Sequence, residues 1–157
     1  MCDLTAVASR NRSVISARSA QWIVGYLGAA LAFGGLDAVW LTLTSATIYR
    51  PVLAPVMAAS VRPLPALLFY VVYLAGLTVF AVVPAVRAAR WTRAPIAGGL
   101  FGFFAYATYD LTNQATLAVW ATKITVLDLA WGTFASAVGA TAGYFAARTL
   151  APEHASP

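Results

Sequence analysis

Residues 64–86 read LPALLFYVVYLAGLTVFAVVPAV, an apolar run without a single charge. A bilayer core takes about 20 apolar residues of helix to cross, so this run is long enough to span one. Working outward, three more stretches have the same character, at 21–44, 95–118 and 124–147. The breaks between them are YRPVLAP and VRPLP in the first gap, RAARWTRAP in the second, and the short WATK in the third. So short a third break makes the last two helices antiparallel neighbours. Pro65 and Pro95 stand near helix starts, where a missing N–H leaves no hydrogen bond unmade. The expected fold is all-α: a four-helix integral membrane bundle over 21–147, with a basic tail at 1–20 and a second tail at 148–157.

Composition agrees. Of 157 residues, 61% are apolar and 10% charged, against about 25% charged in a soluble domain. The net charge of +5 would point to nucleic acid in a soluble protein. Here the basic residues fall between apolar runs, so they bear on orientation and no nucleic-acid partner is expected. Cys2 is the sole cysteine and His154 the sole histidine, which excludes an intrachain disulfide and Cys/His metal sites.

Basic residues favour the cytoplasmic side of short loops. With the N-terminus inside, Arg10, Arg12, Arg18, Arg87, Arg90, Arg93 and Arg148 lie inside, and only Arg50, Arg62 and Lys123 outside. Both termini are therefore expected in the cytoplasm, as in a multi-pass protein of a bacterial inner membrane. A cleaved signal peptide over 10–40 is the rival reading. Its apolar run is too long and carries Asp37. In the first outside loop, Val52, Leu53, Val56 and Met57 fit one face of a short interfacial helix, with an irregular loop as the alternative.

Three acidic residues fall within spans: Asp37, Asp110 and Asp128. The orientation puts all three in the outer half, with Asp37 and Asp110 about 10–15 Å and Asp128 about 5–8 Å below the outer surface. Each costs about 2.5–3.5 kcal/mol of insertion at a helix centre. Such residues face the bundle interior, either paired or functional. Helical spacing places Tyr106, Asn113 and Gln114 with Asp110, and Phe33, Trp40 and Thr44 with Asp37. Tyr109 adjoins Asp110 in sequence, and Tyr70 and Tyr73 of the second helix reach a similar depth. Gly132, Ala135 and Gly139 follow Asp128 as a small-residue stripe that admits a neighbouring helix. The expected site is a polar pocket of Asp110, Asp37, Asp128, Tyr106, Asn113, Tyr109, Tyr73 and Trp40, with Asp37 the nearest acid to Asp110. On the bland reading, each Asp only bonds a tyrosine or a carbonyl and locks two helices together. Trp40, Trp120 and Trp131 then serve as belt or packing residues, and Lys123 snorkels to the interface.

The stretches LDAVWL (36–41), FYVVYLAGLTVFAVVPA (69–85), GGLFGFFAYATYDLTNQATL (98–117) and DLAWG (128–132) together resemble a family of predicted membrane proteins labelled domain of unknown function 2177. The resemblance covers residues 22–145 and implies a small bacterial four-helix membrane protein. It implies no catalytic role, and the Gly or Pro expected near VWATK is missing. Three functional classes follow from the residues. One is binding or transport of a small molecule, cation or proton by the carboxylates. Another is a structural subunit of a membrane complex or homo-oligomer, with membrane lipids as its other partners. The third is a lipid-modifying enzyme, for which no nucleophile–base pair or phosphate loop is present. The residues leave any cofactor open.

Overall fold

The computed structural model describes residues 4–150, with side chains from Arg18 onward; of the expected tail at 148–157, residues 151–157 lie outside the described residues. Four helical rods form a bundle. In the first, α1 (Leu4–Thr44) runs into a π-helical segment (Ser45–Tyr49) and then α2 (Arg50–Leu53). The second comprises α3 (Pro63–Leu77), a π-helical segment (Thr78–Val82) and α4 (Val83–Arg87). The third is α5 (Arg93–Thr116) and the fourth α6 (Thr122–Arg148). Helix α1 starts within the stretch expected to be a basic tail.

Each π segment ends two residues before a proline, Pro51 or Pro84. Proline has no N–H and its ring clashes with the carbonyl four residues back. Widening the preceding turn relieves both problems without breaking the rod.

Three of these helices are long and apolar enough to cross a membrane: Arg18–Leu53, Pro63–Arg87 and Thr122–Arg148. The sequence expectation had four. Helix α5 has the length but carries Tyr106, Tyr109, Asp110, Asn113 and Gln114, which lower its apolarity. The surface is greasy as well: Leu31, Val72, Phe80 and Phe104 are all more than 60% exposed. Water would penalise such an exterior, whereas hydrocarbon accepts it.

Helix α6 lies centrally, packed most extensively on α5 and then on α1, while the second rod closes the bundle against all three. Neighbours run antiparallel. Gln21 donates to the Ala147 carbonyl at one end, and Trp131 reaches Asp37 nearer the other. Phe33, Leu77, Val82, Ala29, Ala135 and Ala140 fill the core. Small residues set the close approach: a Cβ on Gly98 would stand 2.6 Å from the Ser136 carbonyl oxygen, and one on Gly143 2.7 Å from that of Gly25. As the spacing predicts, Gly132 is covered by the Tyr106 ring and Gly139 by Phe33, Leu77 and Ala29.

The short interfacial helix is not formed as expected. Only residues up to Leu53 are helical, continuing the first rod. Leu53 is buried, while Val56 and Met57 lie in the following turn, half exposed.

Candidate functional site

One end of the bundle gathers Arg18, the Arg87–Arg93 turn and Arg148. The carboxylates lie toward the other end, where residues 117–121 join α5 to α6. Asp110 is six residues from the last residue of α5 and Asp128 six from the first of α6, so both are about 9 Å from that end.

All three acids are buried, but they are not treated alike. Asp37 accepts a hydrogen bond from the Tyr70 hydroxyl at 2.5 Å and another from Trp131 Nε1 at 3.2 Å. Asp128 accepts one from the Tyr49 hydroxyl, which itself accepts from Trp40 Nε1 at 2.9 Å. The Trp40 and Trp131 rings stack at 4.4 Å, 9° from parallel. Two indoles thus lie back to back, one serving the Asp37 cluster and the other the Asp128 cluster.

Asp110 is fully buried, and neither of its carboxyl oxygens has a hydrogen-bond partner. The polar group set against it is the carboxyl of Asp128. The expected neighbour was Asp37; the acid that acts on Asp110 is Asp128. Depth alone does not say which helices adjoin, whereas the short α5–α6 turn places Asp128 beside Asp110.

Nearer the bundle end lies a small net of neutral groups. Thr125 donates to Gln114 Oε1 at 2.7 Å, Gln114 Nε2 to Thr122 at 2.9 Å, and Trp120 Nε1 to Thr125 at 3.0 Å. Deeper in, Tyr73 and Ser136 share a hydroxyl–hydroxyl bond of 2.6 Å.

Of the expected site residues, Asp110, Asp128, Asp37 and Trp40 belong to this connected group. Tyr106 packs on Gly132 and stands edge-on to Tyr73 at 6.2 Å. Tyr73 itself bonds Ser136 and none of the acids. Tyr109 is 61% exposed with its ring against Trp120, and Asn113 stands beside it, half-buried. Neither donates a hydrogen bond to Asp110, and the Tyr109 ring turns outward. Sequence reasoning missed Tyr49 and Ser136 altogether and weighed Trp131 as packing.

An open apolar groove of about 750 Å³ lies elsewhere, between α5 and α6, where Ile96, Leu100, Phe103, Leu129 and Phe134 line it. It is separate from the acids.

With this geometry in place, the chain can be set beside known proteins. It belongs to the DUF2177 family, described as predicted membrane protein, whose family model matches residues 22–145. No curated protein and no solved structure matches it.

Proposed function

We propose that this family member crosses a bacterial inner membrane four times, with both termini in the cytoplasm, and binds a proton or small cation at Asp110 and Asp128. The observation carrying this reading is the contrast among the three acids. Asp37 and Asp128 have donors; Asp110, the least exposed, has none. Burying a charge without compensation is very costly, and intramembrane acids that persist are commonly part of an ion or proton pathway. A positively charged ligand would supply what Asp110 lacks. The site is too closely packed for a bulky amine, since Asp110 is 0% and Asp128 7% exposed.

Trp131 bonds Asp37, Trp40 bonds the Tyr49 that serves Asp128, and Trp120 packs on Tyr109 next to Asp110, so tryptophan emission reports on the site. Titrating the purified protein in lipid nanodiscs with protons, Na⁺, K⁺ and Mg²⁺ should give a saturable change with at least one of them. Asp110→Asn keeps size and polarity and should remove that change while leaving helical content and insertion intact. An unaltered titration in Asp110→Asn would overturn the reading. In that event the second reading, a structural subunit held together by polar clamps, takes its place. It is favoured by Asp37, whose two donors come from two other helices.

A further inference from the structure

Resting on the proposed binding role of Asp110 and Asp128, the geometry points to the identity of the ligand. We propose that the pair holds one proton, as a carboxylic acid hydrogen-bonded to a carboxylate, and does not hold a metal cation.

The donors explain why. Tyr49, Trp40, Thr125 and Trp120 each have a single side-chain hydrogen to donate in a hydrogen bond. Tyr49 gives its hydrogen to Asp128, Trp40 to Tyr49, Thr125 to Gln114, and Trp120 to Thr125. None goes to Asp110. With both acids ionised, the two carboxylates face one another and offer only lone pairs. The groups acting on them are Tyr49 from the end of the first rod, Asp37 from α1, and Tyr106 and Tyr109 on α5. None of these is basic. One added proton supplies the missing donor: it bonds one carboxyl oxygen and is shared with the facing one. The pair's charge falls from two negative to one, and no other bond forms or breaks. Two carboxyls at such range share a proton because both cannot ionise cheaply.

A metal fits poorly. Ca²⁺ takes six to eight oxygens and Mg²⁺ a near-octahedral shell. Here Tyr49 points its hydrogen at Asp128 and occupies one oxygen, while the surrounding backbone is helical with its carbonyls already bonded. Among the described residues no group of three or more acids, histidines or cysteines could hold a metal ion. A proton needs only two oxygens.

Infrared spectra of the protein in nanodiscs at neutral pH test this. The wild type should show a protonated-carboxyl stretch that shifts in D₂O. Asp110→Asn should abolish it, leaving Asp128 as a carboxylate bonded by Tyr49. Asp128→Asn should move the band and alter its titration, because Asp110 then has an amide as its neighbour. Should Asp110→Asn fail to insert, Asp128→Asn carries the test alone. A band that Asp128→Asn leaves unmoved in frequency and titration would overturn the shared proton. If the wild type shows no such band but tryptophan emission responds to Na⁺ or Mg²⁺ in an Asp110-dependent way, the proton is the wrong ligand and the binding role stands. If neither signal exists, both proposals fall.

Discussion

Asp37 and Asp110 share an expected depth and meet opposite fates. Asp37 is clamped by Tyr70 and Trp131, so its role in the structure is to join α1, α3 and α6. Removing the Tyr70 hydroxyl leaves the carboxyl short of its closest donor, and leaving a buried polar group unsatisfied costs about 1–3 kcal/mol, more for a charged one. Tyr70→Phe should therefore lower stability by about 2 kcal/mol, read as a lower midpoint in thermal or denaturant unfolding in mild detergent. Asp110→Asn should cost little or nothing, since its amide N–H can donate to Asp128 in place of the shared proton. Equal losses from the two variants would mean that Asp110 is a clamp like Asp37.

At the scale of elements, what sequence could and could not disclose depends on whether the helix keeps its period. Where it does, spacing of three and four residues finds the partners: Trp40 turned inward with Asp37, and Gly132, Ala135 and Gly139 on the buried side of α6. Tyr49 stood outside that reach. Nine residues beyond Trp40 is two and a half α-turns, the opposite face. The π segment Ser45–Tyr49 takes extra residues per turn and brings the hydroxyl round to Trp40 and Asp128. The proline two residues later was the available signal. Rod contacts themselves rest on small residues, which gives a paired prediction. Gly98→Ala places a methyl 2.6 Å from a backbone oxygen of α6 and should cost about 1–3 kcal/mol by overpacking. Gly34→Ala meets nothing within 4 Å and should gain up to about 1 kcal/mol of helix propensity. Denaturant midpoints of the two variants should move in opposite directions. Movement in the same direction would mean that α5 does not rest on α6 at Gly98.

For the whole molecule, the open matter is the path of α5, the helix with the length but not the apolarity to cross. Its polar side chains cluster in the half next to α6's start, where Tyr109, Thr108 and Thr112 are exposed. Thr108 and Thr112 bond carbonyls one turn back at 2.7 and 2.6 Å, so they add little unsatisfied polarity to that surface. Along its whole length α5 runs antiparallel to α6, from Gly98 beside Ala140 to Gln114 beside Thr122. On the four-span reading proposed above, a helix seated that way on α6 crosses with it. The same proposal takes the arginine end as cytoplasmic, on the bias of basic residues. After replacement of Cys2, single cysteines at Val61, Ala89 and Ala118 test both points with a membrane-impermeant thiol reagent. Val61→Cys and Ala118→Cys should label on intact spheroplasts, and Ala89→Cys only after permeabilisation. If Ala118→Cys labels with Ala89→Cys, α5 does not cross and the bundle has three spans. If all three positions reverse, the molecule is inverted, and Asp110 and Asp128 would exchange their proton with the cytoplasmic face.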